Sequence, residues 1–320
     1  MARKKLSIID TKDKKITDAF KEFYRYCQIK NLSSETLGFY ENNFYKLKKW
    51  FKKDILVMDI TKEIIEDYIL HLKSTEITDI TVNTNIRGIR AFLYYWMKLG
   101  YLEEFKISLI KAVKKTKDTY TRHEIEILLK KPNIRKCNYV EYRSWVITNT
   151  LLATGMRANT LVNLKIKDVD LDNQLLFYST TKNKKQQIVP ITNTLLEVLE
   201  EYIQIRLRQT DNLEAWLFVS AYGMQLNRNS LNHSLRDYNN RRGIMRTGTH
   251  KWRHTFSKMC LVDGKIDSLR LQKLLGHSDL AMVKEYVEIF TEDLQKDVDS
   301  YNPLEIMQKE NKKGKHLKLK

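Results

Sequence analysis

Residues 175–190 read LLFYSTTKNKKQQIVP, and this stretch decides the fold class. Leu175-Leu-Phe-Tyr178 and Gln187-Ile-Val189 are β-prone runs, and the polar, lysine-rich segment Thr181–Gln186 between them predicts a β-hairpin. Almost everything around it has a helical period. Upstream, Trp145, Val146, Ile147, Leu151 and Leu152 lie in an apolar helical stretch that stops at Gly155. Downstream, helical patterning resumes near Thr194 and runs to about Leu304. The acidic run Asp168-Val-Asp170-Leu-Asp172-Asn173 lacks the sixth-position glycine and the later glutamate of a calcium loop, so it reads as a polar turn before the hairpin.

Towards the N-terminus the chain is helical throughout. Phe20, Phe23, Tyr24 and Cys27 share one face of a helix that begins at Ile16 and breaks at Lys30-Asn31-Leu32. Ser33 starts a second helix, with Leu37, Tyr40, Phe44, Leu47 and Phe51 on one stripe. Thr61 is the expected cap of a third, and Thr81 of a fourth that stops at Gly100. Residues 105–119 then form a lysine-rich bridge, and Thr121-Arg-His-Glu124 reads as a capping box. The expected organisation is a basic extension (1–13), a four-helix domain (14–104), a linker (105–119), a mixed α+β domain (120–305) and a basic tail (306–320).

Three prolines and ten glycines in 320 residues agree with long helices and few tight turns. A net charge of +18 and a pI near 9.5 point to a polyanionic partner, because each Lys or Arg that neutralises a phosphate releases condensed counterions. No segment approaches the roughly 18–20 apolar residues of a membrane span, and the N-terminus lacks the apolar stretch of a signal peptide, so a cytoplasmic protein is expected. Cys27, Cys137 and Cys260 are far apart without CxxC spacing, which suggests core thiols and neither disulfides nor zinc.

Four short blocks carry the chemistry. Arg157 follows a helix-ending glycine in Ala153-Thr-Gly-Met-Arg157 and precedes another helical stretch, a placement that points a guanidinium at an anion. His250 and Arg253, three residues apart in Thr249-His-Lys-Trp-Arg-His254, share a helical face. His277 follows Leu274-Leu-Gly276, and Tyr286, one of seventeen tyrosines, comes nine residues later.

In order and spacing these blocks resemble the tyrosine recombinase (phage integrase) family. Arg157 lies in its T-G-x-R block, His250 and Arg253 in its HxxR-H-T-F block and His277 in its L-L-G-H-S block, with Tyr286 at the family interval beyond. Lys182 lies eight residues before Pro190, where the family's hairpin lysine lies, although Lys184 and Lys185 stand close by. The Leu32-Ser33-Ser-Glu-Thr36-Leu37 stretch resembles the start of the family's helical, SAM-like core-binding domain.

The resemblance implies a mainly α fold, with a four-helix core-binding domain and an α+β catalytic domain holding a small antiparallel sheet. It also implies a site made of Arg157, Lys182, His250, Arg253, His277 and Tyr286 with no metal or other cofactor. The partners it implies are double-stranded DNA carrying specific sites, three further protomers in a synaptic tetramer, and accessory DNA-bending proteins. One departure is Thr160, which stands where the family usually has Glu or Asp behind the first arginine.

Two arginines suit a phosphate because they stay protonated and offer forked donors. A tyrosine hydroxyl, with a reference pKa of about 10, needs activation, for which His250 is the expected partner. The resemblance assigns Lys182 as general acid to the leaving 5′-oxygen and His277 as a donor to a non-bridging oxygen. The expected role is integration or excision of a mobile element. The alternatives are Xer-type dimer resolution, a type IB topoisomerase, a metal-dependent nuclease, and a non-catalytic DNA-binding protein on the same fold.

Overall fold

A computed structural model of the chain describes residues 14–112, 118–179, 186–262 and 266–276. Lys182 with its neighbours Lys184 and Lys185, His277, Tyr286, both expected terminal extensions, and the stretch holding Leu294, Val298, Leu304 and Ile306 lie outside the described residues. The chain divides into two compact units, Met1–Lys115 and Thr116–Lys320.

The first unit is built from α1 (Ile16–Ile29), α2 (Ser34–Phe51), α3 (Lys62–Ser74) and α4 (Asp79–Lys98), with a 3₁₀ turn at Val57–Asp59. Ser33 and Thr61 cap α2 and α3 as expected, each accepting a bond from the backbone N–H three residues on. The cap of the fourth helix lies three residues earlier than expected, at Thr78. Thr78 accepts from the Thr81 N–H at 3.3 Å, and the two hydroxyls lie 2.9 Å apart. Thr81 is therefore the capped residue, not the cap.

Aromatic side chains form the middle of this unit. Phe20 stacks on Phe44 with centroids 3.9 Å apart and meets Phe92 edge-on at 5.5 Å, while the Trp96 indole donates to the Ala19 carbonyl at 3.1 Å. Helices α2 and α4 pack together, and at Gly88 of α4 a β-carbon would lie 2.4 Å from Cγ of the buried Asn43 of α2.

The second unit opens with α5 (Arg122–Leu129), set by the capping box of Thr121 and Glu124. Helix α6 (Tyr139–Thr154) is buried on nearly every side and packs against α5, α8, α9 and α10, which explains its all-round apolar reading. After the short α7 (Ala158–Val162) come β1 (Val169–Asp170), β2 (Leu175–Ser179) and β3 (Gln186–Pro190), an antiparallel sheet in the order β1-β2-β3. The hairpin is as expected; β1 is additional. The acidic run makes the turn between β1 and β2, where Asp170 accepts from the backbone N–H and side-chain amide of Asn173 at 2.9 and 2.8 Å.

Four helices follow: α8 (Asn193–Leu207), α9 (Arg228–Asn240), α10 (Thr249–Val262) and α11 (Ser268–Leu275). Helical structure is thus interrupted between Leu207 and Arg228, where continuous helical patterning was expected. Leu217, Phe218 and Val219 are buried in the core in a bent segment between isolated bridges that pair Lys165 with Trp216 and Val219 with Gln225. Two buried arginines hold this segment: Arg206 donates to the Trp216 carbonyl at 3.1 Å, and Arg143 to the Val219 carbonyl at 2.5 Å and to Ser234 of α9 at 2.8 Å. Their described partners are carbonyl oxygens, including Gln209 Oε1 on Arg206 at 2.5 Å, and a hydroxyl, while the Nε of each guanidinium is buried with no hydrogen-bond partner among the described residues. Cys27 is buried in the first core, while Cys137 and Cys260 are half-buried at the edges of the second. No described helix is long and apolar enough to cross a membrane.

Candidate active site

The described site residues gather where α6, α10 and α11 end or begin. Gly155 closes α6 with φ +59°, and a β-carbon there would lie 2.3 Å from the Phe256 ring of α10. Both facts restrict this position to glycine. Two residues on, Arg157 occupies the cap position of α7 in an extended conformation, and its half-buried guanidinium forms no hydrogen bond or ion pair with any described residue. Thr160, one turn into α7, is buried.

Helix α10 presents His250 at its second position and Arg253 one turn later. Arg253 is only 4% exposed; it donates through Nη1 to the Gly155 carbonyl at 2.6 Å and through Nη2 to the Leu275 carbonyl at 2.9 Å. One side chain therefore ties the last residues of α6 and α11 to α10. Next to Arg253, Trp252 is fully buried and packs on Tyr120 with centroids 4.2 Å apart. The backbone N–H of Tyr120 in turn donates to Thr255 at 2.9 Å, which fixes α10 against the start of the unit.

Charge converges on His250. Its ring is open to solvent on one side, yet burial of the other and the guanidiniums of Arg228, Arg253 and Arg157 hold its pKa below the usual histidine value. The ring is accordingly neutral at pH 7 and free to accept a proton. Beside it opens a cleft of about 610 Å³ at the N-terminal end of α10, lined by His233, Arg236, His250, His254 and the ion pair of Lys251 with Asp118, among others. That end carries the positive pole of the helix, so cation side chains and helix dipole favour the same kind of guest.

The sheet supplies a residue that the sequence reading did not single out. Strand alternation turns Leu176 and Tyr178 to the buried face, and Tyr178 lies near both Arg253 and Arg157. Burial pushes its hydroxyl up to about 12 against the pull of those two cations, so it stays protonated. Period-2 patterning could have picked it out; its neighbours across the fold could not have been read from the chain. Arg228, exposed at the start of α9, was likewise missed.

Arg157, His250 and Arg253 are thus brought together, and His250 feels both arginines. Two guanidiniums, an imidazole whose neutral form is favoured and a helix N-terminus, brought together in this way, suit a phosphate-like anion. Residues 119–292 match the phage integrase family and residues 15–116 its SAM-like domain, so the chain belongs to the phage integrase family.

It is 29% identical over 294 residues to the tyrosine recombinase XerD of Staphylococcus epidermidis, covering 88% of this chain and 97% of that one. Among solved structures, it resembles the Tn1549 transposon integrase in complex with transposon right end DNA (TM-score 0.70, 16% identity, 87% of this chain and 98% of that one). It also resembles the XerH site-specific recombinase bound to its difH substrate (TM-score 0.66, 21% identity, 89% and 84%).

Proposed function

We propose that this chain cuts and rejoins double-stranded DNA at specific sites through a covalent 3′-phosphotyrosine on Tyr286. The observation that carries the reading is the convergence of Arg157, Arg253 and a neutral His250 in a chain of this family. Arg157 and Arg253 hold the scissile phosphate and offset the negative charge that builds on its oxygens, with His277 donating a further hydrogen bond. The Tyr286 oxygen attacks phosphorus while His250 takes its proton; the bond to the 5′-oxygen breaks, and Lys182 gives that oxygen a proton. The products are a 3′-phosphotyrosyl ester and a free 5′-hydroxyl. Because one phosphodiester is exchanged for another, religation to a new strand requires neither ATP nor a metal.

Residues 14–104 act as the core-binding domain and 120–305 as the catalytic domain, in a cytoplasmic enzyme that works as a tetramer on two sites. The lysine-rich composition favours integration or excision of a mobile element, while the likeness to XerD along nearly its whole length favours dimer resolution. Recombination of paired repeats flanking the gene, against recombination of the host replicon's own resolution site, separates the two roles.

For the chemistry, Tyr286→Phe is expected to bind DNA and to form no adduct on a nicked suicide substrate, with or without excess EDTA in the wild-type control. An adduct in that variant, or loss of the wild-type adduct in EDTA, refutes the mechanism.

A further inference from the structure

We infer that Gln187 is a positioning residue for the reaction: it ties the sheet to the last turn of α11 and so fixes Gly276, the residue that precedes His277 in the chain. This rests on the reading of His277 as a phosphate ligand.

Gln187 lies on β3 directly across from Tyr178, so the two side chains share the buried face of the hairpin. Its amide nitrogen donates to two successive carbonyls of α11, Lys273 at 2.9 Å and Leu274 at 2.8 Å. Two acceptors on one atom settle which end of the amide is nitrogen. The last four carbonyls of a helix have no partner within it, and here every one is taken. Gln272 and Lys273 accept from the Gly276 N–H, Lys273 and Leu274 from Gln187, and Leu275 from Arg253 at 2.9 Å. The turn that precedes His277 is therefore bonded from the sheet on one side and from the HxxR helix on the other.

Gly276 completes the fit. Its φ is +61°, and a β-carbon on it would stand 2.1 Å from Oε1 of Gln187, an oxygen buried without a hydrogen-bond partner. The Gln187 amide thus fills the space that a side chain at 276 would need. Nothing in this arrangement touches the reacting atoms; it sets the place and direction of the chain just before His277.

The test is adduct formation by the full chain on a nicked suicide substrate at saturating DNA. Gln187→Leu keeps the bulk and removes both donors; it is expected to slow adduct formation on the order of tenfold or more without changing the DNA concentration needed for half-binding. Gln187→Arg, which restores forked N–H donors, should recover most of the rate. In a His277→Ala background, Gln187→Leu should add little, because two residues acting through one another are not additive. Gln187→Glu, which turns lone pairs towards the carbonyls, serves if the Leu variant does not fold and should be slow in the same background-dependent way.

Adduct formation by Gln187→Leu at the wild-type rate overturns the inference, as does an equal fold-loss in both backgrounds, which marks a general structural role. Failure of the wild type to form a Tyr286-dependent adduct overturns the functional reading itself, and this inference with it.

Discussion

Replacing Arg253 by lysine separates what this residue does for the fold from what it does for the phosphate. The guanidinium is almost fully buried and reaches two carbonyls at the ends of different helices, Gly155 and Leu275, through its two separate Nη atoms. A lysine ammonium is a single point and cannot span both, so at least one buried carbonyl loses its donor. An unsatisfied buried acceptor costs about 1–3 kcal/mol, which for a unit of this size lowers the melting temperature by on the order of 5 °C. On the proposed mechanism the same change also takes a guanidinium from the phosphate, a loss expected to be on the order of a hundredfold in adduct formation.

Arg157→Lys is the contrast. Arg157 makes no bond to a described residue, so its lysine variant should melt like the wild type and still lose adduct formation to a similar extent. Calorimetry and single-turnover cleavage on a suicide substrate, run on both variants, give the comparison. If Arg253→Lys melts at the wild-type temperature, or if Arg157→Lys is the less stable of the two, the tie between helix ends is wrong.

His250 gives a pH signature. Its pKa is depressed in the folded state, so the neutral form is favoured there. Its contribution to stability is present above the unfolded value of about 6.5 and is lost as pH falls from there through the folded value. Melting curves of wild type and His250→Gln should therefore differ most in their pH dependence below 6.5, and any protonation limb in adduct formation should be centred below pH 6.5; a limb centred above pH 7 contradicts this. Gly155→Ala combines a left-handed backbone with a β-carbon 2.3 Å from the Phe256 ring, and should destabilise by about 2–4 kcal/mol in denaturant melts, with Phe256→Leu recovering part. Gly88→Ala, 2.4 Å from Asn43, should destabilise the first unit by about 1–3 kcal/mol, and shortening Asn43 to alanine in the same chain should restore space and part of the loss.

What was legible in the sequence was local. Ser33, Thr61 and Thr121 cap within three residues of themselves, and Gly155 ends its helix by its own φ, so the signals and their causes lie together in the chain. Thr78 and Thr81 look alike as caps three residues apart, and the apolar periodicity downstream cannot choose between them. β1 is two residues long, too short for any pattern. The stretch around Leu217 to Val219 reads as apolar whether coiled or extended, and only the buried arginines 143 and 206 in other helices reveal that its carbonyls are spoken for from outside. Of the site, the blocks around Arg157, His250 and Arg253 were visible as order and spacing. Tyr178 beside the arginines and Gln187 beneath α11 were not, because each acquires its meaning from residues far along the chain.

The carbonyl tie made by Arg253 bears on how such a protein would decay. A descendant that stopped cutting DNA but still bound it would be released from selection on chemistry alone, yet not from selection on folding. It would drift first at Arg157, whose guanidinium makes no hydrogen bond or ion pair with a described residue, and would retain Arg253 long afterwards for the sake of its helix ends. On the proposed mechanism, an intact arginine in the HxxR block of a divergent copy of this gene is thus a weak marker of a living enzyme, and an intact arginine after the Thr154-Gly155 turn a stronger one.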